Sequence, residues 1–523
     1  MKKSIKTLAS LAIFLLAVAY TAAESGKKQR RISLSVLEDK IRGGWAGQMI
    51  GVSYGAPTEF RSKGKINQDP ITWAPERVSN AIQQDDLYVE MTFAEVMDSK
   101  GLDATSEDYG EMFKNSKYSL WHANAAARRL LNNGIKAPLS GDPRYNAHAN
   151  DIDFQIESDF IGLMTPGLPQ YANKYADRVG RVMNYGDGLY GGMFFAGMYS
   201  AAFFEDDVRR VVQQGLACIP AKSRYGRTIR DVLDWHAKYP HDWKKTWQLI
   251  EDKWDKDDPC PDGALEDFNI DASINGAYVA LGLLYGSKDF GKTVEIATRA
   301  GQDSDCNPSS AAGILGVMIG YEKIPDFWKG GIPKLADTKF QFTNYSFNTI
   351  CKSTMERALK NIQMAGGKVE ANEAVIPYQE PKAAKLEQWD PGVPDKRIAW
   401  NDPAWTFKGD WAEVRQGGNN PRVVGKNANS AGAEAELKFN GAGIILIGRY
   451  SQSGGRADVY LDGKKAGEIN AYIVERTNDN ALWHTYGLKQ SPHALKIVTL
   501  DQADPRSKGK NVSVYSAVTF RAR

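Results

Sequence analysis

The sequence predicts a multidomain protein in which an all-α domain is followed by an all-β, jelly-roll-like sandwich. Three observations predict it. From Ser35 to about Met364 apolar residues recur at helical spacing, and strand-like alternation is scarce. Between residues 366 and 396 the pair Gly366-Gly367 and Pro377, Pro381, Pro391 and Pro394 interrupt any period. Beyond residue 397 the period switches to two: Ala435, Leu437 and Phe439 alternate with Glu434, Glu436 and Lys438. The expected organisation is an export signal over 1–23, a helical domain over 32–365, a linker over 366–396 and a β-sandwich over 397–523.

The first segment carries Lys2, Lys3 and Lys6 ahead of a short apolar run from Leu8 to Ala19, and Thr21 and Ala23 place small residues at a cleavage point after Ala23. The run is too short for a comfortable membrane span, which predicts a periplasmic or extracellular protein with no stable membrane insertion after cleavage. Ser35 with Glu38 predicts a capping box for the first helix, which runs through Ile41, Trp45 and Met49 and carries Gly44, Gly47 and Gly51 for tight packing. Later helices are expected at Asn275 to Tyr285, Lys292 to Ala300 and Ser309 to Tyr321, with short loops as in a compact bundle. Asn307 reads as the cap of the last of these and Pro308 as its first residue, while Gly313, Gly316 and Gly320 allow close approach. In the β region, Asn440-Gly441 before the apolar run Ile444 to Ile447 predicts a hairpin, as does Asp462-Gly463 after Ala457 to Leu461; Ala494 to Leu500 adds a further strand.

With 66 Lys+Arg against 63 Asp+Glu, the net charge of +3 over 523 residues leaves no electrostatic footprint for nucleic acid. Hydrophobic residues at 42% and charged residues at 25% are ordinary for a globular chain, whereas 13 Trp and 23 Tyr exceed what such a chain needs. The surplus suits stacking on sugars as well as core packing, and Trp400, Trp405, Trp411, Tyr460 and Trp483 are the candidates in the β region. Cys218, Cys260, Cys306 and Cys351 are widely spaced, show no zinc pattern, and leave one or two disulfides open. The six histidines are scattered and read as structural.

Four acidic segments carry the chemistry. Gly301-Gln302-Asp303-Ser304-Asp305-Cys306-Asn307-Pro308 sets two carboxylates two residues apart before a small-residue helix, where they either converge on a hard cation or serve as caps. A glycine-rich turn from Gly51 delivers Glu59. Gln84-Asp85-Asp86 opens a helix through Met97; neighbours about 100° apart reach one site only at a helix N-terminus, where the dipole also favours anions. Between Asp151 and Asp159, Asp153 and Glu157 share one helical face.

Together, in this order, these segments resemble the ADP-ribosylglycohydrolase family over roughly Leu34 to Ile324, most closely from Ile274 to Gly320. The resemblance implies an all-α fold, hydrolysis at the anomeric carbon of an ADP-ribosyl group, and one or two divalent cations, usually magnesium or manganese, with Mg2+ expected here and Mn2+ or Ca2+ as alternatives. Carried over by position, Asp85, Asp86, Asp303 and Asp305 are metal ligands, Gln84 offers an amide oxygen, and Glu59 sits with Asp305 at the reacting water. Gln84 and Cys306 stand where the family usually has threonine; a thiol is a poor magnesium ligand, so one ion is as well supported as two. In the middle region, Asp153, Glu157, Asp159, Asn184 and Asp187 replace family residues that line the sugar pocket. They become candidate substrate contacts whose charge repels a pyrophosphate and favours a neutral or cationic glycoside. The sandwich resembles accessory modules of secreted carbohydrate-active enzymes. The expectation is an exported, divalent-metal-dependent glycoside hydrolase acting on a small molecule or glycan. The alternatives are a true ADP-ribosyl-conjugate hydrolase and a non-catalytic glycan-binding protein.

Overall fold

Two layers of glycine and alanine bring the first long helix and the last acidic motif into backbone contact, and the helical domain is built around that pair. The structure, a computed structural model, describes residues 28–523 except 388, 418, 419, 476, 478 and 479; the expected export signal lies outside them. Among the described residues the helices are α1 Leu34–Gly55, α2 Asp85–Lys100, α3 Ser106–Lys114, α4 His122–Asn132, α5 Asp153–Ile156, α6 Asp159–Leu163, α7 Pro169–Gly180 and α8 Asp187–Ala202. They continue with α9 Val208–Leu216, α10 Arg224–Lys238, α11 Trp243–Trp254, α12 Ala272–Gly286, α13 Phe290–Arg299, α14 Cys306–Ile319, α15 Asp326–Lys329 and α16 Phe347–Met364. None of them is long and apolar enough to cross a membrane.

The cap of α1 is Ser33 rather than the expected Ser35: Ser33 is extended and its hydroxyl accepts the Val36 N–H, which leaves Ser35 inside the first turn. Along α1, Gly43, Gly47, Gly51 and Gly55 recur every four residues and face α14 running the other way. A Cβ there would lie 2.2 Å from Gly316 O, 2.1 Å from Ala312 O, 2.1 Å from Pro308 O and 2.1 Å from Ser304 O respectively. Only hydrogen side chains permit this approach. The flanking face of α1 is apolar, and fully buried Trp45 donates to Thr354 Oγ1 of α16 at 3.1 Å.

Residues 366–396, expected as a linker, carry β2 Lys368–Val369, β3 Glu373–Pro377 and the start of β4 Val393–Ala399. β2 and β3 join β1 Gln29–Ser33 in a sheet of order β1-β3-β2, because Ala374, Val375 and Ile376 are buried against the helices. The stretch that follows is strapped to α7 and α8. Asn173 Nδ2 donates to Lys382 O, Tyr190 OH donates to Lys385 O, and Glu387 accepts from Arg181 and from the Gly186 N–H. Gly366-Gly367 precedes β2, Pro377 ends β3 and Pro394 lies within β4.

The remaining strands are β5 Trp405–Lys408, β6 Ala412–Gln416, β7 Arg422–Ala428, β8 Glu434–Gly441, β9 Gly443–Ile447, β10 Gly455–Leu461, β11 Lys464–Asn470, β12 Ala481–Thr485, β13 Ser491–Ala503, β14 Val512–Val514 and β15 Ser516–Arg521. They form antiparallel sheets of order β11-β10-β13-β8-β5, β12-β9-β15-β4 and β14-β7-β6. Leu437, Val459, Leu495 and Ile497 of the first pack on Ile444, Leu446 and Ala517 of the second, as in a sandwich. Asp462-Gly463 is a true two-residue hairpin with both residues at positive φ, joining Leu461 to its partner Lys464. Asn440-Gly441 is not: β8 pairs with β13 and β5, β9 with β12 and β15, so the chain changes sheets there. The run Ile444 to Ile447 is apolar throughout because its second face is also covered. Ile445 and Ile447, with Val518 and Phe520, pack on Ala147 and Ala264 of the helical domain. Arg128 adds a bidentate pair to Glu475 at 2.8 Å, and Arg397 Nη2 donates to Ala264 O at 3.0 Å. The sandwich is thus docked on the helices. Of the aromatic residues singled out above, Trp405 is buried in its core, where it stacks on Phe407, and Trp411 packs at the edge of that core.

Candidate active site and metal centre

The close packing of α1 on α14 sets the floor of the site. After Gly55 a short 3-10 turn, Ala56–Thr58, hands over to Glu59. Thr58 Oγ1 lies 2.8 Å from Ser304 Oγ, stitching this turn to the acidic one. The acidic turn is anchored from the other side by Gly301 and Gln302, both at positive φ. Gln302 N donates to Ser62 O at 3.1 Å, Phe60 N donates to Gln302 O at 3.2 Å, and the Gln302 amide spans Asp267 O and Asn269 N. α14 starts earlier than expected. Asp305 is its cap and Asn307 lies within it, donating to Asn275 Oδ1 at 2.9 Å.

One oxygen each of Glu59, Asp303 and Asp305 falls within 4.8 Å of the others, and so do an oxygen of Asp86, an oxygen of Asp305 and the Cys306 sulfur. Asp305 belongs to both groups. Asp85 and Asp86 open α2, and Asp85 is close enough to raise Glu59, Asp86 and Asp305 electrostatically. Gln84 sits just ahead of them, but its amide donates to Asn80 Oδ1 at 2.7 Å, and the side chain joins neither group. Burial, reinforced by neighbouring carboxylates, pushes Asp86 and Asp303 well above the ordinary carboxylate range and Asp305 to about 6. Glu59 opens to solvent, yet desolvation at the floor and the charges of Asp305 and Asp85 push it up to about 8.

These groups fit a divalent cation. Asp86 Oδ1 and Asp303 Oδ1 are shielded from water and have no hydrogen-bond partner, and buried like charges of this density call for a counter-charge. The donors are carboxylate oxygens, as a hard cation requires. Cys306 does not compete: burial and the acidic neighbours hold its thiol protonated, and it donates to Asp86 Oδ2 at 3.3 Å.

Above the floor opens a cleft of about 1330 Å³ between the two domains. Glu59, Phe60, Lys63, Trp121, His122, Asp262 and Phe268 line one side, and Arg449, Tyr450, Gln452 and Tyr515 of the β-sandwich the other. Phe60 and Phe268 meet edge to face at 5.0 Å, and Trp121 is 39% exposed. His122, which the sequence reading passed over, is held by Asp262 Oδ2 at 3.0 Å, with Asp151 Oδ2 at 3.8 Å. Burial alone would lower its pKa, but Asp262, Asp151 and Asp153 outweigh it and raise the imidazole. No local signal marks His122, whose partners lie 29 to 140 positions away.

The profile of ADP-ribosylglycohydrolase matches residues 33–360. The chain belongs to the ADP-ribosylglycohydrolase family. That family is typically dependent on divalent metal. A stretch of 95 residues is 34% identical to an "A type blood alpha-D-galactosamine galactosaminidase" of Flavonifractor plautii, covering 18% of this chain and 8% of that protein. The chain thus spans less than a tenth of the length of that relative. Among solved structures it is similar to an "ADP-ribosylglycohydrolase-related protein complex", with 14% identity and a TM-score of 0.41 over 62% of this chain and 99% of the other. A two-domain esterase active on acetylated mannans gives 12% identity and a TM-score of 0.21 over 37% and 51%.

In this member of the family the five expected substrate contacts, like Asp85, Asp86, Asp303 and Asp305, are not among the residues that line the cleft. Asp153 accepts the Ala123 and Asn124 N–H groups at 3.2 and 2.9 Å, capping α4. Glu157 accepts from Asn124 Nδ2. Asp159 accepts from Tyr199 OH at 2.7 Å and Ser310 Oγ at 3.0 Å. Asn184 ties Phe154 N to the carbonyls of Ala149 and Asp151, and Asp187 accepts the Tyr225 N–H at 2.9 Å. The expected single acidic helix is broken into α5 and α6 at Glu157-Ser158, and fully buried Phe154 and Phe160 draw its carboxylates inward.

Proposed function

We propose that this protein is an exported, divalent-metal-dependent glycoside hydrolase that cleaves a ribosyl or other glycosidic bond over Glu59. The observation that carries the reading is the convergence of solvent-facing Glu59 with buried Asp303 and Asp305 at the foot of an aromatic-walled cleft. Asp85, Asp86, Asp303 and Asp305 would hold the metal, which when bound supplies a water of lowered pKa and a clamp for sugar hydroxyls. Glu59 takes a proton from the attacking water at its carboxylate oxygen. Phe60, Trp121 and Phe268 offer ring faces to a sugar or its aglycone and narrow the access of bulk water. The stretch similar to a galactosaminidase supports a carbohydrate setting. Export rests on the charged and apolar N-terminal pattern ending at Ala23.

A second reading, hydrolysis of an ADP-ribosyl conjugate, is favoured by Lys63 and Arg449, cationic groups on opposite walls of the cleft that suit a diphosphate. Metal-replete protein screened against ADP-ribosylated peptides, nucleosides and a panel of glycosides separates the two by the class that turns over. Asp305→Ala is expected to abolish metal-dependent hydrolysis while the fold persists; full turnover in that variant would sink the mechanism. Export is checked by the N-terminal sequence of the protein recovered from the native cell envelope or medium, and intact residues 1–23 in a cytoplasmic pool would refute it.

A further inference from the structure

A second convergence of donors lies outside the acidic floor and shares no residue with it. The segment between α11 and α12 places Asp258 and Cys260 against Asp271, and one ligand atom of each falls within 4.8 Å of the others. All three are buried, at 3%, 1% and 0% exposure. Asp258 Oδ1 accepts the Cys260 N–H at 2.8 Å, and Asp271 Oδ1 accepts the Ser273 N–H at 2.8 Å. The second oxygens of Asp258 and Asp271 have no hydrogen-bond partner. Asp151, fully buried and bridged through its backbone to Asp271, keeps one oxygen 2.7 Å from His148 Nδ1 and leaves the other unpartnered. Its carboxylate lies beside the Cys260 thiol. From the β-sandwich, Tyr486 adds a shielded hydroxyl without a partner, next to Cys260 and Asp151.

Three buried carboxylates with three orphaned oxygens cost far more than an apolar packing would. A cation between Asp258, Cys260 and Asp271 satisfies the orphaned oxygens of Asp258 and Asp271. The donors choose the cation: magnesium and calcium take oxygen ligands and avoid sulfur, whereas zinc takes thiolate and carboxylate together in a tetrahedral site. We propose that Asp258, Cys260 and Asp271, with Asp151 beside them, form a structural zinc site. On binding, the Cys260 thiol proton leaves to solvent as the sulfur–metal bond forms. The site fastens the loop that carries Asp262 and Phe268, and so braces one wall of the cleft next to the β-sandwich. It does not depend on the hydrolytic reading above.

The test uses the full-length chain with Asp305→Ala, so that the acidic floor does not count. After dialysis against zinc and then buffer, metal analysis is expected to find one zinc per chain. Cobalt in its place is expected to give a near-ultraviolet thiolate-to-metal absorption band. Adding Cys260→Ser should remove the band, and adding Asp258→Asn should weaken zinc binding at least tenfold. Zinc content unchanged by Cys260→Ser overturns the proposal. Because those variants can fail to fold, the parent decides alone: a folded parent that binds cobalt without the band, or binds no metal, also overturns it.

Discussion

Gly55→Ala tests the link between helix packing and chemistry. Gly55 has helical φ and ψ, so alanine is welcome to the backbone there and gains about 1 kcal/mol of helix propensity. Its Cβ, however, would stand 2.1 Å from Ser304 O and 2.5 Å from Asp305 Cα, where ordinary contact begins at 3.4 Å. The acidic turn must retreat by about 1.3 Å. It cannot yield by rotating a side chain, because the atoms met are backbone, anchored through Gln302 to Ser62. Overpacking of this kind costs about 1–3 kcal/mol, so the net loss of stability is about 0–2 kcal/mol and the protein still folds. A 1 Å displacement of Asp303 and Asp305 from Glu59 costs on the order of 10²-fold in turnover. Gly43→Ala is the control. Its Cβ meets Gly316 O at 2.2 Å, an equal clash, but about 18 Å along α1 from the floor. Denaturant midpoints, calorimetric magnesium affinity and kcat/KM are measured for both. Gly55→Ala should lose metal affinity and turnover and Gly43→Ala mainly stability; equal activity in the two would refute the reasoning.

Glu59→Gln is expected to lower kcat by about 10²–10⁴-fold with little change in KM, measured on whichever substrate class turns over. Glu475→Ala leaves Arg128, itself 3% exposed, with Ser116 and Tyr118 as its remaining hydrogen-bond partners among the described residues, and should cost about 1–3 kcal/mol in denaturation and speed proteolysis between the domains. Glu251 accepts from Tyr278, and burial with the Asp255 charge pushes its carboxyl up to about 8. A raised carboxyl stabilises the fold below its unfolded value of about 4.5, and that contribution is lost as pH rises through 8. Glu251→Gln should therefore flatten the fall in stability between pH 5 and 8; an unchanged slope would count against the assignment.

Much of the site is readable along the chain because its parts are local. Asp303 and Asp305 sit in one turn, Asp85 and Asp86 at one helix start, and the glycines of α1 repeat at the spacing of a single helix face. The Asp462-Gly463 hairpin is equally local, since two positive φ angles need those residue types. Where sequence expectation and structure part, a long-range contact decides. The Gly366 to Pro394 stretch reads as a linker until β3 finds β1, more than three hundred residues away. Asn440-Gly441 carries a turn signal, but sheet pairing sends β8 and β9 to different layers.

By itself the sequence determined the helical and β regions, the acidic segments and the glycine face that lets two backbones touch, because periodicity and backbone freedom are properties of neighbouring residues. Only the tertiary structure decided which carboxylates meet. Asp86 joins Asp305 across more than two hundred residues, while Asp153, Glu157 and Asp159 turn inward to cap α4 and to meet Asn124, Tyr199 and Ser310. His122 reaches the cleft because Asp262 and Asp151 hold it there. The physical reason is desolvation: a carboxylate's charge, partners and pKa depend on what surrounds it in space, and that surrounding is assembled from distant segments only when the core closes.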